Sequence, residues 1–134
     1  MPITSVSKAQ PMRECEINAV DALNNVIDKI NNINKTLWEG SFSSGNITIP
    51  NLSDYYLFGV FLANELSVCF VYSPPGASTF TGGSLDVTSA PNMYSLACRA
   101  GRNGNTLSYE YSGSMAVKGT SVTKKNIVKI VGIL

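Results

Sequence analysis

The 134-residue sequence contains no histidine, and this absence excludes the commonest catalytic mechanisms. Without an imidazole there is no Ser-His-Asp or Cys-His pair, no histidine metal ligand, and no side chain whose unperturbed pKa lies near neutrality. The three cysteines, Cys15, Cys69 and Cys98, are too widely spaced for a CxxC motif, and an odd number cannot pair completely within one chain. We therefore expect free thiols in a reducing compartment and no catalytic residue, metal or cofactor.

Charge is also scarce, because charged residues make up 14% of the chain and hydrophobic residues 44%. A typical domain carries about 25% charged residues. The formal net charge of +1 offers little attraction to a phosphate backbone or an anionic membrane. No apolar run approaches the roughly 18 residues that span a bilayer, and the first residues lack the apolar core of a secretory signal. We expect no nucleic-acid partner, no membrane insertion, and a surface partly covered by another chain.

Apolar residues recur at alternating spacings of four and three in the first third of the chain. This is the heptad signature of a coiled-coil seam, and additional apolar residues beside it widen the stripe toward what three strands need. The candidate oligomerisation residues are Ala19, Leu23, Val26, Ile27, Ile30, Ile33 and Leu37. We predict a parallel three-stranded coiled coil over residues 12–37, after a flexible attachment arm over residues 1–11. The alternative is that the helix packs on its own β domain.

From residue 38 the period changes to two, and Gly, Ser, Thr, Pro and Asn separate short apolar runs. This pattern is typical of an antiparallel β-sandwich or barrel, and we predict a head domain over residues 38–134 of β-sandwich or jelly-roll type with about eight strands. We expect a hairpin that turns at Ser43–Gly45 and another at Asn103-Gly104, where both residues tolerate positive φ. Segments 55–62 and 66–72 are apolar at nearly every position, so we expect both of their faces to be covered.

Alternation in the strand that follows Asn103-Gly104 predicts which of its side chains are buried. Leu107, Tyr109, Tyr111, Met115 and Val117 share one face and are expected in the core. The other face is expected to be wet and carries Thr106, Ser108, Glu110 and Ser112.

A polar segment from Ser73 to Gly83 begins with two prolines and a glycine and is expected to be an exposed loop. Binding groups tend to lie on loops that a rigid scaffold holds. The candidate receptor contacts therefore fall in this loop and at the Asn103-Gly104 tip, and they are Thr79, Phe80, Arg102, Asn103 and Asn105. Trp38 directly follows the last heptad residue, so we expect it to fill the junction between stalk and head.

The acidic and aromatic residues of the β region could in principle form a glycosidase site or a sugar-binding site. Glycosidases need two carboxyl groups about 5 to 10 Å apart, and no spacing suggests such a pair among Glu39, Asp54, Glu65, Asp86 and Glu110. We expect these five to be polar surface residues. Sugars stack on aromatic rings, and the candidates for that role are Trp38, Tyr94, Tyr109 and Tyr111, although Tyr109 and Tyr111 are expected in the core.

Several segments resemble those of a known group of proteins. Leu37-Trp38-Glu39-Gly40-Ser41 leads into Ser44-Gly45-Asn46-Ile47-Thr48-Ile49-Pro50, and the chain closes with Ile127-Val128-Lys129-Ile130-Val131-Gly132-Ile133-Leu134. Together with the helix before them, these segments resemble small fibre and tail proteins of bacteriophage virions. The resemblance covers residues 30–62 and 93–134 and includes no catalytic signature.

This resemblance implies a homotrimeric structural appendage of a phage virion, assembled in the cytoplasm of the bacterial host. A coiled coil would set the threefold axis, the β head would face outward, and the N-terminal arm would dock on another virion protein. We expect a tail fibre or tail-tip protein that contacts a host cell-surface glycan. The alternatives are a capsid head fibre or decoration protein and, from a different class, a trimeric lectin-like carbohydrate-binding module. An enzyme is the least favoured class.

Overall fold

The computed structural model describes one helix and most of a β-rich region. The described residues are 4–5, 14–31, 34–89, 92–116, 119 and 121–133. The chain divides into two compact units, Met1–Lys35 and Thr36–Leu134. The helix lies in the first unit and nearly all of the sheet lies in the second.

One α-helix, α1, spans Glu14–Asn31. Its first turn carries Glu14 and Glu16, and its last turn carries Lys29, so the charges at both ends complement the helix dipole. The predicted N-terminal helix is therefore confirmed over these residues. Met12 and Arg13, where the sequence predicted its beginning, lie outside the described residues.

The predicted C-terminal limit of the helix was wrong. The helix ends at Asn31, Asn34 adopts a φ of 53°, and Lys35 begins a β-strand. A left-handed residue does not continue a right-handed helix, and asparagine tolerates that conformation better than most residues. Leu37, which was assigned to the heptad seam, therefore lies in a strand. Ile33 lies outside the described residues.

Three predicted seam residues of α1 present apolar side chains at the surface. Leu23, Val26 and Ile30 are 47%, 53% and 46% exposed, and Ala19 is exposed as well. Ile27 differs, because it is only 6% exposed in the single chain. The predicted place of Ile27 beside a trimer seam stays a prediction, and we define the exposed seam as Ala19, Leu23, Val26 and Ile30.

Nine strands form one sheet among the described residues. They are β1 (Lys35–Phe42), β2 (Asn46–Thr48), β3 (Leu57–Leu62), β4 (Val68–Tyr72), β5 (Thr79–Ser89), β6 (Asn92–Asn103), β7 (Thr106–Ala116), β8 (Val122–Lys124) and β9 (Ile127–Ile133). The order across the sheet is β1-β9-β3-β4-β5-β6-β7-β2, and β8 pairs with β7 outside this path. The predicted mainly β, antiparallel region is confirmed.

The sheet curls into a half-barrel, where the sequence predicted a sandwich of jelly-roll type. β1 and β2 lie at opposite ends of the strand order, although only Ser43–Gly45 separate them in sequence. The two edges of the sheet must therefore approach each other at this turn. The Phe42 and Tyr109 ring centroids lie 5.4 Å apart there, and the Tyr109 N–H donates to the Gly45 carbonyl oxygen. The predicted hairpin at Ser43–Gly45 was wrong, because the turn carries the chain from one edge to the other.

The hydrophobic core lies on the inner face of the curled sheet. Phe58, Val60 and Leu62 point inward at every second position of β3, as the pleat of a strand requires. Aromatic contacts strengthen the centre, where the Phe58 and Phe80 ring centroids are 5.0 Å apart. The core residues are Phe42, Ile49, Leu52, Tyr55, Phe58, Val60, Leu62, Cys69, Val71, Phe80, Leu96, Cys98, Ala100, Leu107, Ile127 and Ile130.

The hairpin at Asn103-Gly104 is confirmed. It joins β6 and β7, Asn103 pairs with Thr106, and Gly104 adopts a φ of 61°. The two residues between the paired Asn103 and Thr106 are Gly104 and Asn105, and glycine adopts the positive φ at the first of them without steric cost.

A β-bulge in this hairpin overturns part of the predicted alternation. Arg99 pairs with Tyr111 and Ala100 pairs with Tyr109, which leaves Glu110 as the extra residue. One extra residue exchanges the two faces of a strand beyond it. Ser112, which was predicted on the wet face, is therefore fully buried.

The residues predicted for the core of β7 divide at this bulge. Leu107 is fully buried, and Tyr109 packs against the core while remaining half-buried. Tyr111 and Met115, beyond the bulge, are half-buried and do not belong to the core cluster. Val117 lies outside the described residues.

Candidate functional site

The segment predicted as a receptor-binding loop is partly a strand of the sheet. β5 begins at Thr79, so the loop comprises only residues 73–78. Phe80 is 1% exposed and packs in the core. A buried ring cannot contact a receptor, so the assignment of Phe80 was wrong. Thr79 is exposed and pairs with Gly101 of β6.

Arg102 is a buried connector and not an exposed contact. The residue is 6% exposed, and its Nη1 donates to the carbonyl oxygens of Ser73 and Pro74 and to the Ser73 hydroxyl. Its Nε donates to the Gly104 carbonyl oxygen at 2.9 Å. Burial lowers the pKa of Arg102, since desolvation disfavours the charged form. The structure thus brings the predicted loop and hairpin tip together, but Arg102 serves to hold them and its assignment as a receptor contact was wrong.

The two asparagines of the hairpin tip differ in exposure. Asn103 is exposed, whereas Asn105 is half-buried. The Asn105 Oδ1 accepts hydrogen bonds from the Ser53 N–H at 3.0 Å and from the Ser53 hydroxyl at 2.8 Å. Asn105 therefore fixes the short 3-10 turn Leu52–Asp54 against the tip. Of the predicted receptor contacts, Thr79 and Asn103 keep exposed side chains that the described contacts leave unused.

Trp38 lies in β1 and packs against the core while remaining half-buried. Its ring meets the Phe42 ring edge to face, with the centroids 6.1 Å apart. The ring also covers Gly40, where an added Cβ would lie 2.8 Å from a Trp38 ring carbon. Trp38 is thus anchored to the head, and its place at the stalk–head junction stays a prediction.

The outer face of β3 and β4 is apolar and exposed in the single chain, so the expectation that both faces are covered stays a prediction that requires another chain. Leu57, Phe70 and Tyr72 are 38%, 56% and 66% exposed. Leu57 pairs with Tyr72, so these two side chains lie on the same face of the sheet. Phe70 lies two residues before Tyr72 on β4 and therefore shares that face. We call Leu57, Phe70 and Tyr72 the outer patch.

A polar cavity opens where β4 and β5 separate. These strands pair only at Phe70 with Gly83 and at Val71 with Gly82, and beyond Gly83 β5 pairs with β6 alone. The cavity has a volume of about 340 Å³. Its walls are Glu65, Asp86, Tyr94, Ser114, Thr123 and Lys125, and we call it the polar cavity.

Strand register explains why four of these residues meet. Asp86 pairs with Tyr94 across β5 and β6, and Ser114 pairs with Thr123 across β7 and β8. Leu96, two residues after Tyr94 and on the same face, belongs to the core and pairs with Ser114. The polar cavity therefore continues the inner face of the half-barrel beyond the hydrophobic core.

The charges in the polar cavity are unevenly matched. Lys125 Nζ lies 3.4 Å from Glu65 Oε1, and both side chains are largely buried, at 23% and 16% exposed. The Asp86 carboxylate has no hydrogen-bond or ion-pair partner among the described residues. Two carboxylates and one ammonium group leave the cavity with a net charge of −1 when all three are ionised.

An unused hydroxyl also faces the polar cavity. Ser114 is 7% exposed, and no described residue hydrogen bonds to its hydroxyl. A wall with an unpaired carboxylate, a hydroxyl without a protein partner and the phenol of Tyr94 can accept and donate hydrogen bonds to a polar ligand.

Sequence reasoning missed this cavity. We expected Glu65 and Asp86 to be polar surface residues. Glu65 lies in the turn between β3 and β4, and Asp86 lies in the second half of β5. The curl of the sheet brings these two segments to one cavity, so no spacing in the sequence relates the two residues. Tyr94 is the one wall residue that the sequence indicates as a candidate for binding, through stacking of a sugar on its ring. Glu39, Asp54 and Glu110 are exposed, as expected.

The thiols divide into one exposed and two buried groups. Cys15 is exposed, Cys69 and Cys98 are buried, and all three are free. The hydrogen bond between Cys69 and Cys98, together with burial, raises the pKa of Cys98 far above its usual range. Among the described residues, no group of three or more Cys, Asp or Glu side chains is arranged to hold a metal ion.

Comparisons of the chain with known protein families, with curated proteins and with solved structures gave no match. Within the part of the chain that the structure describes, α1 is not apolar enough over its length to cross a membrane.

Proposed function

We propose that this chain is a structural protein that assembles as a parallel homotrimer through α1 and forms an appendage of a bacteriophage virion, of tail-fibre or tail-tip type. The observation that carries the proposal is the exposed seam of α1. Leu23, Val26 and Ile30 are each about half exposed, at 47%, 53% and 46%, and they keep heptad spacing. Seam residues of a coiled coil are those that a neighbouring helix buries, so the partner that fits best is a second and third copy of the same helix.

The length of α1 supports self-association. Its 18 residues are close to the length at which an isolated helix becomes marginal in water, and several of them are asparagines, which have poor helix propensity. Burial of the seam against other copies would supply the missing stabilisation, at about 25 cal/mol for each Å² of apolar surface removed from water.

The β-rich unit supports the same proposal. The outer patch of Leu57, Phe70 and Tyr72 exposes adjoining apolar side chains. Charged residues make up only 14% of the chain, so few charges oppose contact of this patch with another chain. Three heads held by one stalk would present their patches to one another at high effective concentration.

The virion assignment draws on the resemblance of residues 30–62 and 93–134 to small phage fibre and tail proteins. In the structure these segments form β1, β2, β3, the β6–β7 hairpin, β8 and β9. A capsid head fibre or decoration protein differs from a tail fibre in where the arm over residues 1–11 attaches. Of that arm the structure describes only Thr4 and Ser5.

The oligomeric state is tested by light scattering on the purified full chain. We expect three times the chain mass of 14.3 kDa at micromolar concentration. A mass equal to one chain would overturn the trimer. The virion assignment is tested by quantitative mass spectrometry of purified particles of the phage that encodes the chain. Presence in a multiple of three copies supports it, and absence from the particles excludes it.

A further inference from the structure

We propose that the polar cavity binds a neutral, hydroxyl-rich ligand of monosaccharide size. The inference goes beyond the proposed function, because the cavity lies within one β-rich unit and needs neither a second copy of the chain nor a virion. It rests on the walls of the cavity, on their charge and on one hydroxyl that no described residue hydrogen bonds.

The charges in the cavity favour a neutral ligand over an ion. An anion would meet the Asp86 carboxylate, and the only ammonium group on the described walls, that of Lys125, already lies 3.4 Å from Glu65. A metal cation or a polyamine would meet Lys125 on the same wall, and only two carboxylates line the cavity. A neutral group that donates hydrogen bonds satisfies Asp86 without placing a second charge beside Lys125.

The hydrogen-bonding groups favour hydroxyls in particular. Asp86 offers only acceptors, Lys125 offers only donors, and Ser114 and Thr123 offer both. A ligand that serves all of them must donate and accept at several neighbouring positions, as vicinal hydroxyls do. Ser114 strengthens this argument. The residue is only 7% exposed, and its hydroxyl has no hydrogen-bond partner among the described residues.

Size and shape agree with a single sugar ring. A volume of about 340 Å³ has room for a hexose, which has about a dozen non-hydrogen atoms, together with several water molecules. Tyr94 pairs with Asp86 across the strands, and its ring is 39% exposed. An aromatic ring beside a carboxylate can cover the apolar face of a sugar while the carboxylate accepts from its hydroxyls.

The test uses saturation-transfer NMR on the full chain with glucose, galactose, mannose, N-acetylglucosamine and the linear polyol sorbitol as separate probes. We expect at least one of the five to receive saturation from the protein. Asp86→Asn keeps the size of the side chain and removes its charge, so binding of that probe should weaken about tenfold. Absence of saturation transfer to all five probes would overturn the proposal.

A second variant locates the site even where Asp86→Asn folds poorly. Thr123→Trp places a large ring at the wall and should abolish binding, whereas Val122→Trp, on the opposite face of β8 and 52% exposed, should leave it unchanged. Equal binding by both tryptophan variants would place the ligand elsewhere and contradict the proposal. Light scattering on the same samples reports the trimer separately, so failure of one proposal does not hide failure of the other.

Discussion

Arg102 donates a hydrogen bond from its Nη1 to the carbonyl oxygen of Ser73, 29 residues away in sequence and inside the protein. The Ser73 hydroxyl in turn donates to the Thr79 carbonyl oxygen at 2.7 Å. The Arg102 Nε also donates a hydrogen bond to the carbonyl oxygen of Gly104 in the hairpin turn. One guanidinium group therefore joins the loop before β5 to the β6–β7 hairpin, and it supplies a donor to the carbonyl oxygen of the fully buried Ser73.

Arg102→Met should destabilise the folded chain by about 3 kcal/mol. Methionine fills much of the same volume but donates no hydrogen bonds, so the carbonyl oxygens of Ser73, Pro74 and Gly104 lose a donor. The measurement is urea unfolding followed by circular dichroism. Arg99→Met is the control, because Arg99 is exposed and its ion pair with Glu110 lies at the surface, and its loss should cost less than about 1 kcal/mol. Equal losses for the two variants would contradict the role assigned to Arg102.

Gly82→Ala should destabilise the chain by more than about 3 kcal/mol or prevent folding. A Cβ at Gly82 would overlap the Phe70 carbonyl oxygen and lie 2.8 Å from a Val71 methyl carbon. The strands β4 and β5 would have to separate to accept it. Gly101→Ala is the matched control on β6, because its Cβ would meet Ser108 Cβ at an ordinary 3.7 Å. Thermal unfolding of both variants checks the prediction, and a tolerated Gly82→Ala would show that β4 and β5 are not so closely packed.

The buried thiol of Cys98 should make the folded chain less stable at alkaline pH. Its pKa is raised in the folded state, whereas in the unfolded state it titrates near its ordinary value of about 8.5. Its contribution to stability is therefore complete below about pH 8.5 and is lost above it, by about 1.4 kcal/mol per pH unit. The pKa of its hydrogen-bonded neighbour Cys69 is lowered in the folded state, which offsets part of this loss. Urea unfolding in reducing buffer at neutral pH and near pH 10 should therefore show a net loss of less than about 2 kcal/mol from the two thiols.

Cys98→Ser should remove that part of the pH dependence, since a serine hydroxyl does not titrate in this range. Cys15→Ser is the control, because Cys15 is exposed. A pH profile that is the same in all three proteins would mean that the Cys98 thiol ionises as readily in the folded chain as in the unfolded one.

Sequence patterns predicted the features of this fold that depend on neighbouring residues. The helix followed from heptad spacing, and the hairpin at Asn103-Gly104 followed from two residues that tolerate positive φ. These features are local, so a short stretch of sequence contains the information that decides them.

Features that depend on long-range pairing were missed. The turn at Ser43–Gly45 looks like a hairpin turn, but pairing of β1 with β9 and of β2 with β7 decides where its two strands lie. The bulge at Glu110 exchanges the faces of β7 without a local signal such as glycine. The polar cavity forms because β4 and β5 separate beyond Gly83, so the approach of Glu65 to Asp86 could not be inferred from either segment alone.

Ile30→Asn should dissociate the proposed trimer at micromolar concentration. Ile30 is 46% exposed in the single chain, and in a three-stranded coiled coil the substitution would bury three side-chain amides, each costing on the order of 1 to 3 kcal/mol. Asp28→Asn is the control, because it introduces the same residue on the other side of α1, and its mass by light scattering should stay that of a trimer. If the Ile30→Asn protein kept the mass of three chains, the exposed seam would not be the surface that holds them together, and the outer patch of Leu57, Phe70 and Tyr72 would be the next to substitute.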